Sequence, residues 1–306
     1  MGRRIRTALA VASAAAVSGC GLGAGSGTSN VSVTVTRGFG AAQLGAASEA
    51  RVPGSETVMR MLERSFKVQT RYGGGFVESI AGQAGSSPHL DWFYYVNGVQ
   101  APQGAASTAV HGGDRIWWDL HDWSATASVP AVVGSFPEPF VHGVGGRRLP
   151  TVLECGSDVA LACKRVSGEL ARTGVPVSTQ EFGVGSGNQT LTVLVGTWST
   201  LHGTIVSQLV QAGPSASGVY ARFTGGGRGL ALLDPKGQVA RTLGAGAGLV
   251  AATDDRNAGP TWLITGTDPD GVAAAAAALQ AARLRDHFAL AVEGGGDLPV
   301  PVQAGQ

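Results

Sequence analysis

The run Trp92-Phe93-Tyr94-Tyr95-Val96-Asn97-Gly98 constrains the fold of this chain more than any other stretch. Five bulky residues suited to a pleated, half-buried surface lead into Asn-Gly, the pair that best tolerates positive φ at both central positions of a type I′ hairpin turn. Such a strand needs antiparallel partners. The next strand-like run, Ile116 to Leu120 with Trp117-Trp118 inside it, follows a Gly112-Gly113-Asp114 turn. Aromatic residues are only 6% of the chain, so their concentration between His89 and Ser124 marks either one small core or one binding face.

Side chains alternate along a strand, which sorts these rings onto two faces. Trp92, Tyr94 and Val96 point one way, and Phe93 and Tyr95 the other. Ile116, Trp118 and Leu120 share a face, opposite Trp117, Asp119 and His121. One face must cover an amphipathic helix predicted over Ser55 to Phe66, in which Val58, Leu62 and Phe66 recur at four-residue spacing beside Met61. Ser55 serves as its N-cap in this reading, with Glu56 placed favourably against the helix dipole. The opposite face keeps large rings with polar tips, which suit stacking on a flat ligand or a partner surface. Two readings stay open: both sets pack a small domain and its seam, or a ligand face is built from Trp92, Tyr94, Tyr95, Trp117, Trp118 and Trp123.

Around this stretch, Val31 to Thr36 alternates apolar and small polar residues, Ala50 to Pro53 reads as a return strand, and Val68 to Tyr72 with Phe76 to Ala81 reads as a hairpin across Gly73-Gly74-Gly75. Two strands, a helix, then several strands predict an α+β, β-grasp-like domain over residues 31–124, a mixed sheet gripping one helix. Pro130, Pro137, Pro139 and Pro150 among glycines mark 125–150 as a linker or domain seam. Beyond it, short apolar strands alternate with helical patterns at Asp158 to Thr173, Leu201 to Ala212 and Gly271 to Asp286, which predicts an α/β domain with a mixed sheet and an inserted antiparallel section over 151–293. Residues 294–306, rich in glycine and proline, read as a loose tail. A length of 306 residues fits two such domains.

The amino terminus carries a separate signal. A basic start with Arg3, Arg4 and Arg6 precedes the apolar run Thr7 to Val17, which is shorter than the about 20 residues a membrane-spanning helix needs. It ends in Val17-Ser18-Gly19-Cys20, which resembles the lipobox of bacterial lipoprotein signal peptides. That resemblance implies a signal peptide over 1–19, lipid on Cys20 and an extracytoplasmic protein anchored to the cell membrane; an ordinary cleaved secretion signal is the alternative. More than one acyl chain is needed for stable anchoring, and residues 20–30 read as a flexible tether. In an oxidising compartment the other two cysteines, Cys155 and Cys163, are expected to pair as a disulfide rather than remain as free thiols. Closing so short a loop is worth about 2.6 kcal/mol on the chain-entropy estimate. With three arginines in the first six residues and a net charge of +1 over the whole chain, no basic stripe is left to bind nucleic acid.

Val31 to Trp123 resembles the bacterial domain related to the carboxy-terminal domain of transcobalamin, a β-grasp of the soluble-ligand-binding type. The likeness is carried by the opening alternating strand, the helix after Pro53-Gly54-Ser55, the segment Phe76 to Gly82, the motif Trp92 to Gly98, and Gly113-Asp114-Arg115-Ile116-Trp117-Trp118. It covers about a third of the chain, and nothing resembles the helical barrel with which that domain encloses cobalamin. What the resemblance implies is a ligand-binding lipoprotein, with a cobalamin-like molecule as the specific ligand and an envelope transporter or other envelope protein as partner in vitamin uptake. His121 is either a hydrogen-bonded histidine or, on this resemblance, a ligand to a corrinoid metal.

Positive signs of catalysis are missing. The chain has no HExxH, no G-x-S-x-G elbow and no P-loop or dinucleotide fingerprint, and the expectation is a protein that is not an enzyme. Thr265-Gly-Thr-Asp-Pro-Asp-Gly271 begins like a calcium loop, but Leu279 stands where a bidentate Glu is required. Capping of the next helix by Thr267 or Asp268, with Pro269 in its first turn, explains the segment, and no metal site is assigned. The alternative to ligand binding is a non-catalytic protein-interaction or structural module of the cell envelope.

Overall fold

The computed structural model describes residues 28–85, 87–184, 189–255 and 259–303. Cys20 and the signal peptide lie outside the described residues. In the first half, β1 (Thr28–Arg37) and β2 (Ala42–Val52) form a hairpin, followed by α1 (Val58–Ser65), β3 (Val68–Arg71), β4 (Phe76–Ile80) and β5 (Gln83–Ala84). β6 (Leu90–Val96), β7 (Val99–Gln100) and β8 (Arg115–Asp122) complete it. Five of these strands make one sheet in the order β2-β1-β8-β6-β7, and β3, β4 and β5 make a small antiparallel sheet. β1 and β8 run parallel at the centre of the larger sheet, with Val33 opposite Ile116 and Val35 opposite Trp118; the remaining pairs are antiparallel. The reversal after β6 is the expected one, with Asn97 and Gly98 at φ 54° and 76°.

Helix α1 starts later than the sequence suggests. Thr57, not Ser55, is the N-cap, its Oγ1 accepting from the Arg60 N–H at 3.3 Å. The reason lies upstream: Thr57 is held extended by a bridge to Ala109, and Glu56 is buried before the helix, its carboxylate paired with Arg64. Val58, Met61 and Leu62 then pack on Val31, Val33, Val35, Trp92, Ile116 and Trp118 in one core.

Residues 125–150 are a packed strap. Val132 N–H donates to Gly98 O, Val133 N–H to Phe288 O and Gln100 N–H to Pro130 O, while Val133, Phe136 and Phe140 bury themselves in the core of the second half. The alternation of apolar residues with prolines signals here a chain pinned by side chains instead of by a sheet.

The second half contains β9 (Thr151–Cys155), α2 (Ala160–Arg172), β10 (Val177–Glu181), β11 (Leu191–Thr197), α3 (Trp198–Leu201), α4 (Ile205–Ala212) and α5 (Pro214–Ser217). An antiparallel sheet of β12 (Ala221–Thr224), β13 (Gly229–Leu233) and β14 (Val239–Leu243) follows, then β15 (Gly248–Asp255), β16 (Gly259–Gly266), α6 (Pro269–Ala278), α7 (Ala281–Leu284), β17 (Ala289–Glu293) and β18 (Gly296–Val300). Seven strands form a mixed sheet in the order β10-β9-β11-β16-β15-β17-β18, parallel from β10 to β16 and antiparallel after it. Helices α2 and α6 cover one face through Val166, Leu170, Val272 and Ala275. The other face meets α4, the small antiparallel sheet, and Phe39, Tyr95 and Trp117 of the first half. The chain is thus β-rich, mixed α and β, with several sheets and few helices. No helix of the described residues is long and apolar enough to cross a membrane.

The end of the chain corrects the expectation of a loose tail. Gly294 and Gly295, at φ 57° and 83°, make a two-residue reversal that folds β18 back onto β17. Val302 N–H then donates to Leu233 O.

Candidate functional site

Of the six rings proposed from sequence as a ligand face, five are distributed between the two cores and Trp123 stands outside both. Trp92, Tyr95, Trp117 and Trp118 are at most 7% exposed, so these four are packing residues in this structure and present no surface for a ligand. Trp92 and Trp118 lie under α1, and Tyr94, half-buried, stacks on Trp118 at 4.8 Å and donates its hydroxyl to Gln103 O. Tyr95 and Trp117 face the other way, each with its ring against the edge of Phe288. Trp123 is half-buried, its Nε1–H donating to Asp91 Oδ2 at 2.8 Å. The alternation deduced from sequence is correct. What covers each face is α1 on one side and the second half on the other, which closes the inter-half groove that a corrinoid stacked on these rings would need.

At the centre of that seam sits Asp119, fully buried. Its Oδ1 accepts from Thr36 Oγ1 and from Gly40 N–H, and its Oδ2 from Phe39 N–H and His121 Nδ1, both at 2.9 Å. Trp117 Nε1–H donates in turn to Thr36 Oγ1 at 2.7 Å. Four donors converge on one carboxylate, the condition under which a buried charge is tolerable. The Tyr95 phenol is pushed well above its ordinary value, by burial first and by the negative field of Asp119 second, and stays neutral.

A large concave surface lies elsewhere, at the carboxyl ends of the parallel strands. From β9 the chain passes through α2 to β10 on one side, while β11 lies on the other, so the strand order reverses between β9 and β11. Open α/β sheets bind ligands at such a reversal, because the loops leaving the two strands diverge there. Here the diverging segments are Gly156-Ser157-Asp158 and Trp198-Ser199-Thr200. A cavity of about 850 Å³ runs from Thr200 past Cys155, Ser157, Lys164 and Ser167 to Thr179 and Glu181 on β10. Asp158 Oδ2 accepts from Thr197 Oγ1 at 2.9 Å, and Thr197 Oγ1 lies 2.9 Å from Ser199 Oγ and 3.0 Å from Thr200 Oγ1, a chain of hydroxyls anchored on one carboxylate. Glu154, buried on β9, accepts from Gln180 Nε2 at 3.1 Å and from Gly183 N–H at 3.3 Å. The expected Cys155–Cys163 disulfide forms and is part of the cavity wall, pinning the first turn of α2 to the end of β9.

Sequence reasoning missed this crevice, although each segment carried a legible signal, a strand followed by small and polar residues before a helix. The Thr265 to Gly271 segment that drew attention instead is spent on capping: Asp268 accepts from Gly271 N–H at 2.9 Å and from Gly246 N–H at 2.7 Å. Among the described residues no group of three or more His, Cys, Asp or Glu is placed to hold a metal ion.

Residues 55–122 match a family described as a domain of unknown function, DUF4430. The match takes in α1 through β8 and includes Asp119 and His121. No curated protein matches the chain. Among solved structures, the chain is similar to a "putative metal binding protein" from Ruminococcus gnavus ATCC 29149, at 18% identity and a TM-score of 0.24, over 31% of this chain and 97% of the other.

Proposed function

We propose that this chain is an extracytoplasmic, lipid-anchored and non-catalytic binding protein that holds a small polar ligand in the crevice at the carboxyl ends of β9, β10 and β11. The observation that carries the reading is the position of that cavity at the reversal of strand order, where hydroxyls, the Gln180 amide, Lys164 and Glu181 stand beside an apolar wall of Phe182, Ala160 and the disulfide. Its volume, about 850 Å³, is within the range of small-molecule sites. The lipobox-like run ending in Cys20 supports the anchor. The β-grasp reading of residues 31–124 is supported by the central parallel pair of β1 and β8 and the single helix across the sheet. A cobalamin-like ligand rests on the transcobalamin resemblance alone and is the first molecule to test.

The test is thermal unfolding of the full chain against nucleotides, sugar phosphates, amino acids and corrinoids, with spectrophotometric titration for cobalamin and cobinamide. One class should raise the midpoint in the native chain and lose that effect in Thr179→Trp, which fills the cavity from the exposed edge strand. No shift with any class would sink the reading, and an unchanged corrinoid spectrum would sink the cobalamin-like ligand.

A second reading, an envelope-protein interaction module, is favoured by one observation: Tyr72, 87% exposed, and Phe76, 40% exposed, stand at the tip of the β3–β4 hairpin. Tyr72→Ser with Phe76→Ser should then abolish capture of an envelope partner and leave ligand binding intact.

A further inference from the structure

His121 is only 2% exposed, yet it lines a second cavity of about 460 Å³ in the seam, walled by Phe39, Leu90 and Pro235 with Arg37 at its mouth. The ring is clamped flat between Phe39 at 4.5 Å and Phe93 at 4.4 Å, with Phe288 against its edge. Its Nδ1 is committed to Asp119 at 2.9 Å, which leaves Nε2 as the ring nitrogen available to a ligand. The same cavity is lined by Gln303, whose amide nitrogen is buried without a partner. Arg37 forms no salt bridge among the described residues, and Asp122, which also lines the cavity, accepts from Ser124 N–H at 2.8 Å through its Oδ1.

Leaving a buried donor unmet costs about 1–3 kcal/mol, and the Gln303 amide faces a space that His121 also lines, with apolar walls and the exposed Arg37 at the rim. We infer that this cavity is a second ligand site, independent of the crevice, which takes a small carboxylic acid with an apolar body. A carboxyl group meets all three partners. Its proton can rest on the acid or on His121 Nε2, so the pair is a hydrogen bond in either arrangement, and Asp119 supports the imidazolium in the second. Its carbonyl oxygen accepts from the Gln303 amide, and its charge faces Arg37. The apolar body lies against Leu90, Phe39 and Pro235.

Calorimetric titration of the full chain with octanoate and benzoate, and with octanol as the uncharged control, tests the inference. Saturable binding of at least one acid is expected, with octanol at least tenfold weaker. Gln303→Leu should raise the Kd about tenfold and Arg37→Gln several-fold, both with an unchanged circular dichroism spectrum, while Thr179→Trp leaves the acid affinity unchanged. No saturable binding of either acid, equal binding of octanol, or unchanged affinity in both seam variants would overturn the site. Loss of acid binding in Thr179→Trp would also overturn it, by placing the acid in the crevice.

Discussion

Gly40 lies so close to Asp286 that a β-carbon at position 40 would come within 1.7 Å of the Asp286 carbonyl oxygen. The two residues belong to different halves, so this backbone approach is where the β1–β2 turn locks onto the segment before β17. Gly40 also sits at φ +82°, which costs any other residue further. Gly40→Ala must therefore separate the halves locally. We expect a loss of about 3 kcal/mol or more, read as a lower urea midpoint.

Asp119 supports the same seam from within. Asp119→Asn keeps the shape but turns an NH2 group toward donors that the carboxylate now accepts from, the N–H groups of Phe39 and Gly40 among them. Breaking a buried, fully paired charge in this way costs about 3–5 kcal/mol. Urea unfolding should show it at neutral pH. A loss under about 1 kcal/mol would mean that the network is not closed as described.

Much of this was legible in the sequence because it is local. Period-two alternation sorted Trp92 and Trp118 from Tyr95 and Trp117 correctly, and Asn97-Gly98 gave its turn. Asn97 does more than turn: its amide donates to Asp114 Oδ1 and Gly143 O, both at 2.9 Å, contacts 17 and 46 residues away that no local pattern encodes. Alternation likewise says which residues share a face, never what covers it. β8 is buried on both sides because two different bodies pack against it. The crevice was illegible for a related reason: it exists only because β11 pairs on the far side of β9 from β10, and strand order is a property of the assembled sheet.

The last strand offers a direct check of the folded tail. Removing residues 296–306 takes away β18 and uncovers the edge of β17, whose Ala289 to Val292 are all buried. An uncovered apolar edge invites pairing between molecules. The truncated chain should elute as oligomers in gel filtration at concentrations where the full chain is a single species. Unchanged elution and an unchanged unfolding midpoint would show that the strand adds nothing.

The disulfide gives a loop-length prediction. Cys155 and Cys163 are eight residues apart, so Cys155→Ser with Cys163→Ser should lower stability by about 2.6 kcal/mol on the chain-entropy estimate. Because both residues wall the crevice, any ligand found there should also bind more weakly, whereas octanoate binding at the seam should be unaffected.

Asp286 yields the pH prediction. Burial raises its carboxyl pKa above the usual value, with Asp119 adding in the same direction and Arg285 opposing. A raised folded-state pKa means that the native chain holds this proton more tightly than the unfolded chain. The contribution to stability is fully present below the unfolded value, about 3.9, and is lost as pH rises through the folded value. At neutral pH the ionised side chain therefore opposes folding. Asp286→Asn removes that opposition and keeps a residue that tolerates the φ of +60° found there. The variant should be more stable than the native chain by a few tenths of a kcal/mol at pH 7, solvent screening limiting the gain at this partly exposed site, and the difference should shrink toward about pH 3.5, where most of the carboxyl is protonated in both states. Paired urea titrations at the two pH values decide it: a gain that persists at pH 3.5 would trace to packing and not to charge, and a loss at pH 7 would show that the Arg285 attraction outweighs burial.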